Sequence, residues 1–481
     1  MNFKMILNIL GWILIFEALF FLVPIITAVV YGEAVLADFL ISAGLCLICG
    51  GLLIMKKPEN KALYSREGYV IVSLSWIVLS LFGALPFYIS GVIPNFVDAL
   101  FETVSGFTTT GATVLGEVET LPKAILIWRS FTHWVGGMGV LVFIMAFVPL
   151  SGGQNMHIMK AESPGPSVSK MSPHMRDTAT ILYAIYFGLT VLQMILLLIG
   201  GMPLFDAICV SLGTAGTGGF GNWNDSIAHY NSAYLQNVIT VFMILFGINF
   251  SAYFLILTRK FRQAFRIEEI RVYLGVIFVF AGLIAFNVRP MFGSLRESFH
   301  HALFQVASII TTTGFSTVDF DQWPTFSRAL LVLLMFIGAC AGSTGGGIKC
   351  SRILLLGKSV KKELMCLIHP RLVRVNKMDG QRVPHEVMRS INVFVVAYAF
   401  IFILSLLIIS LNCEDLVTCF TSVATTLNNV GPGLSLCGPT CNFGFFPPLS
   451  KGVLIFDMLA GRLELFPMLL LFTPGTWQRN K

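Results

Sequence analysis

The chain has 481 residues, of which 56% are hydrophobic and 12% charged, and its formal net charge is +7. A soluble domain carries about 25% charged residues and covers its surface with polar groups, so this composition excludes an ordinary water-soluble protein and points to lipid as the solvent. The surplus charge does not mark a nucleic-acid partner: of the 32 Lys and Arg, all but Lys123, Arg129, Arg289, Arg296, Arg328, Lys451 and Arg462 fall at the termini and in one alternate set of loops, which is the positive-inside pattern of cytoplasmic segments.

The first apolar runs, about 5–31 and 34–55, are each long enough to span a bilayer and predict an N-terminal hairpin. The first run continues at full membrane length, so it reads as a spanning helix and not as a cleavable leader. After the basic loop 56–67 the chain repeats one pattern four times. Each unit has an apolar helix, a shorter half-polar helix, a Gly-rich turn and a returning apolar helix. The first helices are expected at about 69–91, 177–201, 271–293 and 387–411. The returning helices are expected at about 122–148, 235–258, 324–358 and 450–473.

The short segments between them read DALFETVSGFTTTGAT (98–113), FDAICVSLGTAGTGGF (205–220), FHHALFQVASIITTTGFST (299–317) and EDLVTCFTSVATTLNNVGPG (414–433). Aligning their turns puts Gly111, Gly218, Gly314 and Gly431 in register. The repeat is too long for a solenoid unit and suits duplicated membrane modules. The expected organisation is an all-α integral membrane fold: a hairpin and loop (1–68), module one (69–149), a cytoplasmic loop with module two (150–270), module three with a cytoplasmic segment (271–386), and module four (387–481).

Non-helical backbone inside a membrane is tolerated where protein buries it or where it lines a wet cavity. Four like turns can satisfy one another around a pseudo-four-fold axis, with carbonyls turned inward to replace a cation's hydration shell. Glycine allows the backbone angles this needs. Thr110, Thr217 and Thr313 offer hydroxyl ligands as well, and Asn429 and Val430 occupy the fourth turn. The short helices aim their partially negative C-termini at the axis, which favours cations. Asp98, Glu102, Glu117, Glu119, Asp206, Asp225, Asp319, Asp321, Glu414 and Asp415 cluster on the outer side, where some of them can equally cap or brace helices.

The third returning helix is interrupted by Gly338, by Gly342 and then by Ser343-Thr344-Gly345-Gly346-Gly347. Three consecutive glycines cost roughly 3 kcal/mol of helix propensity against alanine, so a helix broken at mid-depth is expected, with loop 342–348 passing under the turns. Arg462 falls near the bilayer centre, where an unpaired guanidinium costs about 2.5–3.5 kcal/mol. It is expected either to hydrogen-bond the Gly345–Gly347 segment or to pair with Asp457. Glu464 is disfavoured, because residues i and i+2 do not share a helix face. His133 reads as a packed polar residue. Cys413, Cys437 and Cys441 fall in outer loops, where a disulfide and free thiols are both open, and no cysteine spacing fits a metal.

The motifs SREG (65–68), TTTGAT (108–113), HWVGGMG (133–139), TTTGF (311–315), AGSTGGGIK (341–349), LNNVGPG (427–433) and GRLELF (461–466) together resemble the Trk/Ktr/HKT superfamily of potassium transporters, in its Trk-type bacterial uptake branch. The resemblance spans essentially the whole chain. It implies four M1-P-M2 modules, a multi-pass protein of the bacterial inner membrane, a homodimer, and a cytosolic ring of nucleotide-binding regulatory subunits. It implies potassium as the transported ion and no organic cofactor. In plant relatives a Ser at the first filter position goes with sodium preference; Gly111 at that place points to potassium. Thr217-Gly218-Gly219 and Asn429-Val430-Gly431 depart from the Thr-Thr-Gly pattern, so an imperfectly symmetric ligand set is expected.

Two rivals remain. A proton- or sodium-coupled symporter needs buried ionisable groups along a path, for which Asp457, Glu464 and His133 are scattered candidates, and the expectation of a single strongly broken helix speaks against inverted repeats. A membrane enzyme is disfavoured because no nucleophile–base pair appears and Gly345–Lys349 does not continue as GxxxxGK[ST].

Overall fold

The computed structural model describes residues 1–55, 64–139, 175–371 and 375–478. Within them, six helices are long and apolar enough to cross a membrane, or seven if one pair bent by 93° is a single span. The N-terminal hairpin is Phe3–Phe20 continuing as Leu22–Tyr31, then Leu36–Met55. Its arms cross at two glycines: a Cβ on Gly11 or on Gly50 would lie less than 3.0 Å from the other's carbonyl oxygen. Association in lipid relies on such close packing, because lipid tails are as apolar as the helices. The hairpin docks on module one through Trp128, whose ring centre is 4.5 Å from Phe21, 6.5 Å from Phe39 and 6.0 Å from Phe107. Its indole N–H donates to Gly83 O at 3.1 Å, so the buried polar tip is satisfied.

The four modules follow as expected. The outer (M1) helices are Ser65–Gly83 with Leu85–Ile89, Met175–Ile199, Glu268–Val288 and His385–Ser410. The short pore (P) helices are Phe96–Phe107, Leu204–Gly216, Leu295–Ile310 and Leu416–Leu427. Three of the four start on side-chain caps. Asn95 accepts from Val97 N, Ser294 from Glu297 N, and Asp415 from Val417 N and Thr418 N. Hydrogen bonds led by that from the Thr418 hydroxyl hold the Asp415 carboxyl down at about 2, below the usual carboxylate range.

The returning (M2) helices are Lys123–Gly137, Ala233–Phe246 with Phe250–Leu257, Thr325–Ile337 with Cys350–Ile368, and Pro448–Arg462 with Phe466–Leu471. The third is broken as expected, but from Gly338 and not only from Gly342. The expectation that it alone is strongly broken is corrected. The second bends by 93° after Phe246, and the fourth stops at Arg462 and resumes at Phe466 through Glu464 and Leu465, both at positive φ. Neither break needs a glycine run. At the second, the Asn249 side chain accepts from Ser251 N at 2.8 Å and starts a new helix. Arg374 and residues 140–174, which include the expected end of the first returning helix, lie outside the described residues.

Each returning helix packs on the pore helix of the following module, and the fourth packs on the first. That circular order closes the four modules into one ring.

The hairpin crossing yields a test. Gly50→Leu forces a side chain into the Gly11 backbone, and overpacking of this kind costs about 1–3 kcal/mol. We expect a lower melting temperature for the detergent-purified variant, while Gly51→Leu, where a Cβ meets nothing within 4 Å, leaves it unchanged.

Candidate functional site: four re-entrant turns and the loop beneath them

At the end of each pore helix the chain makes the same turn. Thr109, Thr217, Thr312 and Asn429 adopt φ between 56° and 58°, and Gly111, Gly219, Gly314 and Gly431 adopt φ between 78° and 99°. The residue between them donates its N–H five residues back in every turn: Thr110 to Ser105 O, Gly218 to Gly213 O, Thr313 to Ser308 O and Val430 to Thr425 O, at 2.8–2.9 Å. Side chains in left-handed backbone are strained and persist where the surroundings fix them. This repeated geometry corrects the sequence register: Gly219, not Gly218, is the counterpart of Gly111, Gly314 and Gly431, and Thr217 is the counterpart of Thr109. The second turn therefore has Gly218 where two other turns carry Thr110 and Thr313.

The turns touch in a closed circle. A Cβ on Gly111 would lie less than 3.0 Å from Gly218 O, on Gly219 from Thr313 O, on Gly314 from Val430 O, and on Gly431 from Thr110 O. Each glycine thus makes room for the middle carbonyl of the next module. The four glycines border one cavity of about 120 Å³, walled further by Thr113, Arg129, Phe220, Asn224 and Asn442. The expected hydroxyl ligands are engaged inside the turns: Thr110 with Thr108 at 2.8 Å, Thr313 with Thr311 at 2.7 Å, and Thr217 donating to Gly216 O at 2.6 Å. Asn429 Nδ2 bridges to Thr110 Oγ1 at 3.0 Å and Met458 O at 2.9 Å, tying module four to module one.

Polar side chains brace this ring from behind. His133, fully buried, places Nδ1 2.7 Å from Gly106 O while Nε2 accepts from Phe220 N at 3.3 Å, joining the first two modules as a packed polar residue. Arg129 Nε donates to Glu102 at 2.8 Å, Nη1 to Gly221 O at 3.2 Å and Nη2 to Thr113 Oγ1 at 3.3 Å. Glu102 also accepts from Thr113 Oγ1 and Val114 N at 3.0 Å. Lys451 Nζ donates to Asp98 at 2.6 Å, and Asp206 accepts from Asn222 at 2.8 Å. Several of the outer acidic residues are therefore braces, while Glu117, Asp225 and Glu414 stay exposed. Sequence reading missed these pairs because the partners are 11 to 353 positions apart and lie on different elements.

Below the turns, 338–349 forms an intramembrane loop. Gly346 N donates to Thr312 Oγ1 at 2.7 Å, and there is no space for a side chain at Gly345 or Gly346, which lie against Thr311 O and Asn428 O. Gly342 O accepts from Phe250 N at 3.0 Å, Gly347 crosses over Gly338, and the Ser343 hydroxyl donates to Cys340 O at 2.6 Å. Thr344 Oγ1 donates to Phe246 O at 3.2 Å, so the loop rests on the break in the second module's returning helix. Arg462 reaches the loop at Thr344 O, 2.8 Å from Nη1, and not at Gly345–Gly347. Its Nη2 donates to Gly137 O at 2.7 Å and to Gly136 O, at the end of module one's returning helix. The pairing with Asp457 is not found, since Asp457 instead accepts from Ser405 at 2.8 Å.

A family model described as a cation transport protein, TrkH, matches residues 34–478. The chain belongs to the TrkH family. The Trk system potassium uptake protein TrkH of Salmonella typhimurium (strain LT2) is 39% identical over 99% of this chain and all of that one. The Trk system potassium uptake protein TrkG of Escherichia coli (strain K12) is 34% identical over 99% of both. The crystal structure of the potassium transporter TrkH from Vibrio parahaemolyticus superposes with a TM-score of 0.90 at 35% identity, covering 99% of this chain. This TrkH-family chain is thus a multi-pass protein of the bacterial inner membrane, with a transport fold and not that of an enzyme.

The Arg129–Glu102 pair is fully desolvated, at 2% and 0% exposure. Removing one partner of such a pair strands a buried charge and costs about 3–5 kcal/mol. Arg129→Ala is expected to lower the melting temperature of the purified protein sharply, and Arg129→Ala with Glu102→Ala to recover part of the loss.

Proposed function

We propose that this chain takes up potassium across the bacterial inner membrane through a gated, channel-like pore whose filter is the ring of four turns. The observation that carries the reading is the closed circle of glycine-to-carbonyl contacts. It leaves the carbonyls of Thr110, Gly218, Thr313 and Val430 as a ring of equivalent oxygens, each backed by a neighbour's glycine. Carbonyl oxygens replace the hydration shell of a cation of matching size, and the C-terminal ends of four pore helices add negative potential. Potassium is bound by backbone at Thr110, Gly111, Gly218, Gly219, Thr313, Gly314, Val430 and Gly431, with Thr217 and Asn429 holding the turns in shape. Similarity to relatives named as potassium uptake proteins supports the choice of ion.

The loop around Gly342–Gly347, anchored by Arg462, is the gate: the loop obstructs by bulk, and the guanidinium repels a cation leaving the filter. The working form is a homodimer on a cytosolic ring of nucleotide-binding subunits, docked on basic cytoplasmic segments that include Lys361, Lys362, Arg371 and Arg374. The alternative, a proton- or sodium-coupled symporter, is favoured by one observation: Glu17 and Asp457 are acidic side chains fully buried within apolar helices. Flux in liposomes that follows the potassium gradient alone supports the channel-like reading, and flux that requires a proton or sodium gradient overturns it.

Two substitutions test the parts. Gly111→Ser places a side chain against Gly218 O, so the sodium-to-potassium permeability ratio should rise severalfold in liposome flux, and Gly219→Ser should do the same through Thr313 O; unchanged ratios would count against the filter. Arg462→Ala should raise potassium flux per folded protein without the cytosolic partner while leaving that ratio intact. A fall in flux per folded protein would make Arg462 a structural residue.

A further inference from the structure

The gate loop has a second anchor. Arg352, in the first turn of helix Cys350–Ile368 just after the loop, pairs through Nη2 with Glu464. Its Nη1 donates to Ile348 O at 3.0 Å, and its guanidinium lies 4.3 Å from the centre of the Phe394 ring. Both charged side chains are nearly buried, at 7% and 11% exposure. Glu464 projects from the break in the last returning helix, where it and Leu465 have positive φ. The same short turn therefore holds the loop twice: Arg462 grips Thr344 O in its middle, and Glu464 grips Arg352 at its exit. Lys349 Nζ adds a bond back to Gly345 O.

The far part of helix Cys350–Ile368 is a different environment. Lys361, Glu363, Leu364 and Leu367 are exposed, and Lys358 pairs with Glu268 and donates to Lys377 O at 2.7 Å. Lys377 belongs to a two-stranded hairpin, Lys377–Met378 with Gln381–Arg382, whose turn residue Asp379 accepts from Glu268 N at 2.7 Å. Arg352 and Lys358 are six residues apart, about 9 Å along a helix. One rigid element thus runs from a solvent-exposed hairpin contact to a buried ion pair at the gate. A partly exposed pair such as Lys358–Glu268, at 29% and 30% exposure, keeps access to water and is cheaper to break than a buried pair, in which each charge is left unsolvated. Force applied to the exposed end is therefore resisted mainly at Arg352–Glu464.

We propose that Arg352 and Glu464 are positioning residues that latch the intramembrane loop closed and couple it to helix Cys350–Ile368, so that displacement of this helix from the cytoplasmic side frees the loop. The inference rests on the gate reading above. Separating the pair removes the tether at the loop's exit while Arg462 still holds Thr344, so the loop gains freedom at one end and the filter glycines are untouched.

The test is potassium flux per folded protein in liposomes, without any cytosolic partner. Glu464→Gln should raise flux roughly tenfold, the effect of losing one charge-assisted hydrogen bond, with the potassium-to-sodium ratio unchanged. Arg352→Lys keeps the charge but cannot reach both Glu464 and Ile348 O, and should give a smaller rise. Exchanging the charges, Arg352→Glu with Glu464→Arg, should bring flux back toward the starting value. If Glu464→Gln does not fold, Arg352→Lys decides the matter. Wild-type flux in every variant that folds overturns the latch, as does a charge exchange no closer to wild type than Glu464→Gln. Arg462→Ala separates the two claims: a rise there with none at the Arg352–Glu464 pair refutes the latch alone, and no rise at Arg462 refutes the gate itself.

Discussion

Backbone that leaves a helix inside a bilayer must be buried in protein or line a wet cavity, so the turns in the middle of this protein need partners from the rest of the fold. The four re-entrant turns meet that constraint within themselves through N–H bonds five residues back, and among themselves by setting each glycine against the next module's carbonyl. Because the circle closes only when all four modules are present, the order of modules, the packing of each returning helix on the next pore helix and the buried braces behind the turns all serve one geometry. A single side chain at any of the four glycines would strain its own positive-φ backbone and also collide with a neighbouring module's carbonyl.

The same constraint accounts for the asymmetry below the ring. Breaking the third returning helix at Gly338 exposes a dozen residues of backbone, and the rest of the fold supplies their partners. Phe246, Gly247 and Phe250 come from a helix bent by 93°, Thr312 from a pore turn, and Arg462 from the last helix. Glu269 accepts from Ala341 N at 2.7 Å and Ser351 N at 3.0 Å, closing both ends of the loop from one carboxyl. These partners come from modules two, three and four, so the shape of the loop depends on the relative positions of all three.

Much of this was legible in the sequence. The hairpin, four outer helices and four pore helices follow from apolar length and from Thr- and Gly-rich turns, and they lie within a few residues of where periodicity places them. The register of the second turn was not legible, because Thr217-Gly218-Gly219 offers two glycines and only backbone angles distinguish them. The break after Phe246 was hidden because Gly247, Ile248 and Asn249 carry no run of helix breakers. The break at Glu464 and Leu465 was hidden more deeply, since both residues favour helices and only the surrounding contacts hold them at positive φ. Arg462 was conspicuous as a charge in an apolar helix, yet its bonds to Gly136 and Gly137 depend on three-dimensional closure.

In the proposed filter the carbonyls of Thr110, Gly218, Thr313 and Val430 surround the ion. Diffraction from crystals grown in thallium or rubidium, heavier substitutes for potassium, locates the ion through their anomalous scattering. An anomalous peak is expected on the axis between these four oxygens, weakening when sodium replaces the heavy cation. An empty axis, with the peak at Asp457, Glu17 or the outer acidic residues, would rule out the ring of turns as the ion's site.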